Sequence, residues 1–282
     1  MQFITSSSDL SQFLSEYRKK HKNNKIGFVP TMGALHSGHL ELIRQANEKS
    51  DLVICSIFVN PTQFNNKTDL EKYPRTLEKD LDLLRKANCD LVFHPSEEDI
   101  YPLGYKENYS INLNGLDLVM EGEFRPGHFR GVAMIVERFF RIIEPNFAFF
   151  GKKDFQQLAI IKHLVKERDL KLTIVGVETK RSEEGLALSS RNQLLSEQEK
   201  KEALIIFQTL QYTKENFSQF SNKELEERAK TFFNQGNLKL EYLNIVGHDD
   251  LRVSDSKTIE LTCCIAAYCG NVRLIDNLQI NS

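Results

Sequence analysis

Five short apolar runs in the first two-thirds of the chain most constrain what it can fold into. They occupy residues 25–30 (KIGFVP), 52–59 (LVICSIFV), 90–94 (DLVFH), 146–150 (NFAFF) and 172–177 (LTIVGV). Rich in Val, Ile and Phe and without clean polar alternation, they suit strands covered on both faces, as in a parallel sheet. Between them the apolar spacing becomes that of a helix. Leu40, Ile43 and Ala46 follow one such pattern, and Leu77, Leu81, Leu84 and Ala87 a second. Val132, Ile135, Val136, Phe139 and Phe140 make a third, and Leu158, Ile161, Leu164 and Val165 a fourth. Strand alternating with helix predicts an α/β fold with a doubly wound parallel sheet. Such sheets bind ligands beyond the carboxyl ends of their strands, so chemistry is expected just after each run.

Past residue 177 the texture changes. A polar loop (180–190) precedes helix-like runs at 196–217 and 222–235, then β-like runs at 238–246, 258–268 and 272–275. This predicts a larger domain over 1–176 and a smaller C-terminal α+β domain over 177–282. With 37 Lys and Arg against 39 Asp and Glu in 282 residues, the formal net charge is −2. That balance offers no footprint for coating nucleic acid, though it leaves room for a small anion in a local pocket. The basic run 18–22 (RKKHK) reads as a solvated helix end. The run 52–59 is far short of the ~20 residues that span a bilayer, and residues 1–9 lack the pattern of a signal peptide. Five cysteines (Cys55, Cys89, Cys263, Cys264, Cys269) include no Cys-x-x-Cys pair and read as buried small hydrophobes in a reducing compartment. A cytoplasmic protein is expected.

Four loops carry candidate chemistry. After the first run the chain reads PTMGALHSGH, from Pro30 to His39, then enters a helix. Gly33 and Gly38 have P-loop spacing, but His39 and Leu40 stand where Lys and Ser or Thr would meet phosphate and Mg²⁺. The helix N-terminus still suits phosphate oxygens, His36 and His39 can both face it, and Gly38 is expected to allow a ligand close to the backbone. A satisfied His pair or a two-His metal site remain alternatives. The second loop, Asn60-Pro61-Thr62-Gln63-Phe64, offers polar side chains after the second run. The third, Gly151-Lys152-Lys153-Asp154, offers cationic donors and an Asp suited to a helix N-cap or a ribose. The fourth, from Glu184 to Asn192, places Ser189, Ser190 and Arg191 together, a set suited to phosphate oxygens. For the third loop a capped helix with solvated lysines is the plainer alternative, and for the fourth Ser-Ser-Arg is weak evidence alone but strong together with the H-x-G-H element upstream.

The H-x-G-H element resembles that of the nucleotidyltransferase and class I synthetase superfamily. Ser189-Ser190-Arg191 resembles the mobile loop that closes over pyrophosphate in adenylating enzymes. Taken in order, 30–39, 58–64, 73–76, 121–131 (EGEFRPGHFRG), 151–158, 185–192 and 266–277 closely resemble the pantoate–β-alanine ligase family. The resemblance implies a Rossmann-like nucleotidyltransferase-type sheet and ATP- and Mg²⁺-dependent condensation of (R)-pantoate with β-alanine. The products would be pantothenate, AMP and pyrophosphate, by way of a pantoyl adenylate. It further implies that His36, His39, Lys153, Ser189, Ser190 and Arg191 contact the phosphates and carry catalysis. Met32, Gly33, Ala34, Leu35, Ser37, Gly38, Gly151, Lys152, Asp154, Lys180 and Leu188 would complete the ATP site. Gln63, Gln157, Asn60 and Met32 would hold pantoate, with Phe58 and Phe155 excluding water. A homodimer is implied as well, with small-molecule substrates and neither nucleic acid nor membrane as partner.

One departure bears on the metal. Lys79 stands beside Asp80 where other members can carry adjacent acids associated with Mg²⁺, so no protein ligand for a metal is assigned. Two rival readings remain. Another small-molecule nucleotidyltransferase would share H-x-G-H but lack the Gln63 and Gln157 pair. A catalytically inactive nucleotide-binding scaffold would have no need to keep His39, Lys153 and Arg191 together.

Overall fold

The computed structural model describes residues 1–65, 67–248, 250–253 and 259–281. Two compact units emerge: Met1–Gly151 with Ile160–Val177, and Lys152–Ala159 with Glu178–Ser282. Among the described residues no helix is long and apolar enough to cross a membrane.

The first unit runs β1 (Gln2–Ile4), α1 (Ser7–Lys20), β2 (Ile26–Thr31), α2 (Ser37–Lys49), β3 (Leu52–Ile57), α3 (Lys67–Lys72), α4 (Leu77–Lys86) and β4 (Leu91–Phe93). Three short helices follow, α5 (Glu97–Ile100), α6 (Tyr105–Asn108) and α7 (Glu121–Phe124), then α8 (His128–Ile143), β5 (Phe147–Gly151), α9 (Phe155–Glu167) and β6 (Thr173–Val177). The first turn of α9 groups with the other unit. The six strands form one parallel sheet in the order β1-β4-β3-β2-β5-β6. Strands β3 and β4 step outward from β2 on one side, and β5 and β6 on the other. The doubly wound expectation is met, with the switch point between β2 and β5. All six residues of β3 are buried, which is why the run 52–59 shows no alternation. Phe28, Phe58 and Phe93 meet Phe139 of α8 edge-on, with ring centroids 5.6 to 6.2 Å apart.

Two local findings refine the sequence reading. Gln2–Ile4 forms an edge strand paired to β4, although its pattern reads only as a polar terminus. The basic run does end a helix, yet Arg18 also donates through Nη2 to the carbonyls of Ile143 (2.6 Å) and Glu144 (3.2 Å). It thereby satisfies acceptors left open where α8 stops.

The second unit contains α10 (Glu197–Glu202), α11 (Leu204–Glu215) and α12 (Asn222–Phe233), then β7 (Lys239–Gly247), β8 (Leu261–Cys269) and β9 (Val272–Gln279) in one antiparallel sheet, order β7-β8-β9. The run expected over 258–268 corresponds to β8, and its first residue, 258, lies outside the described residues. Ser196 with Glu199 and Ser221 with Glu224 form reciprocal caps that start α10 and α12. The helix expected over 196–217 breaks at Ala203, which ends α10 and begins α11. Leu210, Leu225 and Phe233 pack on Ile245, Cys263 and Ile265 to form this unit's core. All five cysteines are free and buried.

Candidate active site

The loop after β2 is held by a carboxylate from a distant helix. Asp80, in the first turn of α4, is 1% exposed. Its Oδ2 accepts from Ala34 N at 2.9 Å and Thr76 Oγ1 at 3.2 Å, and its Oδ1 from Leu35 N at 2.8 Å. Thr31 Oγ1 donates to Ser56 O at 2.6 Å and accepts from Gly33 N at 3.2 Å. Ala34 can therefore occupy a left-handed conformation (φ 50°) that costs a non-glycine residue energy. The chain then turns into α2 with His36 as its N-cap.

Two imidazoles do here what Ser and Glu usually do at a helix start. His36 Nδ1 accepts from Gly38 N at 3.1 Å, and His39 Nδ1 from His36 N at 3.3 Å, with ring centroids 4.1 Å apart. Since Nδ1 accepts in both, each neutral ring carries its proton on Nε2, which makes Nε2 the donor atom. A Cβ at position 38 would lie 2.8 Å from His36 Cε1. The His36 ring therefore fills the space that a side chain at position 38 would take. Ser37 is exposed at the first turn.

Met32, Asn60 and Gln63 come together. Gln63 Nε2 meets Met32 Sδ at 2.9 Å, and Asn60 Nδ2 donates to Gln63 Oε1 at 3.1 Å. Asn60 is 1% exposed and saturated: Nδ2 also reaches Gly131 O at 3.1 Å, while Oδ1 accepts from Thr62 Oγ1 (2.9 Å) and Tyr101 OH (2.7 Å). Burial pushes the Tyr101 phenol up, so it stays a donor. His128 Nδ1 lies 2.7 Å from Gln63 O. A Cβ at Gly131 would come within 2.3 Å of Thr62 O, so only glycine lets α8 pass this close to the turn. Phe58 lies buried beneath, edge-on to Tyr101. Gln157 stands half-buried on the first turn of α9, in the other unit.

In the second unit, Lys153, Ser189, Arg191 and Asn192 line one cleft with Arg273 and Asp276. Asp154 O accepts from Leu158 N at 2.9 Å, the N-cap position of α9. Lys153 Nζ lies 3.8 Å from Asp154 Oδ1, and Lys152 pairs instead with Glu178. The 180–192 segment doubles back through a bridge between Arg181 and Ala187, with Leu188 N on Lys180 O at 2.9 Å. Ser189 Oγ accepts from Arg191 N at 3.3 Å, starting the turn Ser190–Leu194. Lys180 is exposed. Phe155 faces His248 edge-on, with centroids 5.1 Å apart.

The profile of the Pantoate-beta-alanine ligase family matches residues 2–279. The chain belongs to the pantoate–β-alanine ligase family. A pantothenate synthetase from Cytophaga hutchinsonii is 43% identical over 282 residues, covering 98% of each chain. The crystal structure of the pantothenate synthetase from Thermus thermophilus gives a TM-score of 0.92 at 36% identity, covering 100% of both chains. The Francisella tularensis pantoate-beta-alanine ligase, solved in complex with beta-gamma ATP and beta-alanine, gives 0.81 at 36% identity. That match covers 99% of this chain and 98% of that one. As a pantoate–β-alanine ligase, the protein is an acid–amine ligase of pantothenate biosynthesis. Its sheet and smaller C-terminal unit are those of the family's nucleotidyltransferase-type fold.

Several residues that shape the site have roles that their neighbours in sequence do not announce, although His128 and Gly131 fall within 121–131 and Asp276 and Asn277 within 266–277. Asp80, Tyr101, His128, Gly131 and the pair Asp276–Asn277 all act on backbone or on another side chain far away in sequence. Asp80 leaves a trace of another kind: it falls on the apolar face that Leu77, Leu81 and Leu84 define, where a carboxylate needs partners. Among the described residues no group of three or more His, Cys, Asp and Glu is arranged to hold a metal ion.

Proposed function

We propose that the protein condenses (R)-pantoate with β-alanine in two ATP-driven steps. A pantoate carboxylate oxygen attacks the α-phosphorus of ATP, the bond from that phosphorus to the bridging oxygen breaks, and pyrophosphate leaves. The β-alanine amine, having lost its extra proton, then attacks the acyl carbon. The bond to the AMP oxygen breaks, giving pantothenate and AMP.

Charge accumulates on phosphate oxygens in the first step, so donors fixed there favour the transition state over bound substrate. His36 and His39, with Nε2 as donor, serve this role at the N-terminus of α2, whose dipole adds to them. Lys153, Ser189, Ser190 and Arg191 serve it from the second unit. The backbone of Met32, Gly33, Ala34, Leu35, Ser37 and Gly38, with Gly151, Lys152, Asp154, Lys180 and Leu188, completes the ATP site. Gln63 and Gln157 orient pantoate, with Asn60 and Met32 beside them. Neutral amides place a carboxylate without drawing off the charge it needs to attack, as an Arg clamp would, and their gain is positional. Phe58 and Phe155 keep water from the acyl adenylate. Residues 1–176 carry ATP and pantoate, and 177–282 act as a lid.

Mg²⁺ enters with ATP as part of the substrate. The only acid of the Lys79–Asp80 pair has both oxygens committed to Ala34 and Leu35, so no protein ligand is assigned and no step is routed through the metal. The active form is a cytoplasmic homodimer.

The cluster of Met32, Asn60 and Gln63 most supports this reading over a generic nucleotidyltransferase, together with the ATP and β-alanine held by the Francisella relative. A three-substrate assay with each component omitted in turn tests it. AMP and pantothenate should form only when pantoate, β-alanine and ATP are all present. Pyrophosphate release from CTP without β-alanine would instead favour the rival transferase.

A further inference from the structure

The turn that carries Lys153 is held from behind by a single side chain. Asn277 Nδ2 donates to Lys152 O at 3.0 Å and to Lys153 O at 2.7 Å. These carbonyls belong to the two peptide planes that flank the Lys153 Cα. A carboxamide has two N–H groups, so it satisfies both and fixes the backbone angles from which the Lys153 side chain departs.

Asn277 is itself anchored. It is 8% exposed, and its N–H donates to Asp276 Oδ1 at 2.8 Å. Arg181 grips the buried Asp276 carboxylate with both Nη atoms, Nη2 to Oδ1 at 2.9 Å and Nη1 to Oδ2, while Nη2 also reaches Asn277 O at 3.2 Å. Nη1 donates onward to Gly185 O at 3.2 Å, and the guanidinium lies over the Phe207 ring, 4.2 Å from its centroid. Two neighbouring residues of β9 thus hold both the Lys153 turn and the Arg181–Ala187 bridge that leads to Ser189 and Arg191. Their register is fixed by β8, since Asp276 pairs with Ile265 and Asn277 with Cys264.

We propose that Asn277, locked by Asp276 and Arg181, is a positioning residue that aims the Lys153 ammonium at the phosphates of ATP. The proposal rests on the reading of Lys153 as a phosphate contact. Without the amide, the two carbonyls turn to water and the ammonium loses its fixed origin. Displacing a positioned group by about 1 Å can cost on the order of 10²-fold in rate. The loss falls on adenylation, where charge grows on the phosphates, and spares β-alanine attack on preformed pantoyl adenylate.

The test compares Asn277→Ala, Lys153→Ala and the double variant in pantoate-dependent ATP–pyrophosphate exchange and in aminolysis of supplied pantoyl adenylate. Asn277→Ala should lower the exchange kcat about 10- to 100-fold with ATP KM within about threefold. It should leave aminolysis within about threefold, and the double variant should be no slower than Lys153→Ala. Multiplicative losses in the double variant, or equal losses in both half-reactions, overturn the proposal. If Asn277→Ala does not fold, Asn277→Ser, which removes the amide but keeps a polar group, carries the same comparison. A slow Lys153→Ala beside an unimpaired Asn277 variant refutes the positioning role alone. An unimpaired Lys153→Ala refutes the underlying reading.

Discussion

Asp80→Asn is the most informative single change in the first unit. The carboxylate accepts two backbone N–H groups of the loop before α2, at 2.9 and 2.8 Å, and the Thr76 hydroxyl at 3.2 Å. An amide can keep its oxygen toward Ala34 and Thr76, but its NH₂ then faces the Leu35 N–H, and one charge-assisted bond becomes an opposition of donors. A hydrogen bond to a charged group contributes about 1.5–3 kcal/mol, and a site 1% exposed gives water little chance to replace it. The thermal midpoint should fall by roughly 3–12 °C at the 2–4 °C per kcal/mol of a domain this size. The two imidazoles that cap α2 follow directly from the clamped residues. Adenylation, followed by pantoate-dependent ATP–pyrophosphate exchange, should therefore drop on the order of 10²-fold. A variant with wild-type melting and exchange would refute the clamp. So would a defect erased by excess Mg²⁺, which would make Asp80 a metal ligand instead.

Other expectations follow from the same geometry. His39→Ala should lose most of its adenylation kcat with ATP KM nearly unchanged, because its Nε2 donor matters most where charge develops; parallel loss of both parameters would contradict this. Gln63→Ala should raise the pantoate KM about tenfold or more while β-alanine KM stays put, the scale of one lost hydrogen bond to a charged group, and an unchanged pantoate KM would refute the assignment. Burial opposes ionisation of Glu137, but hydrogen bonds from Arg141 and Arg168 outweigh it and hold the carboxyl below its usual range. A depressed folded value stabilises fully above the unfolded value of about 4.3 and is lost as pH falls through the folded one. Glu137→Gln should thus be less stable by about 1–3 kcal/mol at pH 7, with the gap to wild type closing below about pH 4 in urea titrations. A gap that stays constant from pH 7 to 3 would show that the charge is not what stabilises. Burial pushes the thiols of Cys89 and Cys263 up to about 12 and raises that of Cys55 too. At pH 8 a thiol reagent should therefore titrate none of these three before denaturant is added.

What the sequence made legible, and what it hid, divides along one physical line. The alternation of buried runs and helical spacing fixes the sheet because burial on both faces of a strand, or on one stripe of a helix, is written into nearby residues. H-x-G-H and Ser189-Ser190-Arg191 are legible for the same reason: the chemistry-bearing groups are adjacent. The groups that hold them are not adjacent. Asp80 reaches back to Ala34 and Leu35, Tyr101 to Asn60, and Asn277 to Lys152 and Lys153. In each case a side chain satisfies a backbone or amide group far off in sequence, and neither partner's neighbours record the bond. Gln2–Ile4 is the same problem in a strand, since three residues contain too little pattern and its register comes from β4. His36 and His39 lie between the two cases. Their spacing announces a shared face, yet cap preferences at Ser, Thr, Asp and Asn give no warning that imidazoles will take the reciprocal cap. That cap decides which nitrogen keeps the proton, and hence which atom can donate to a phosphate. The residue types were readable from the chain, while the direction of the hydrogen bond needed the fold.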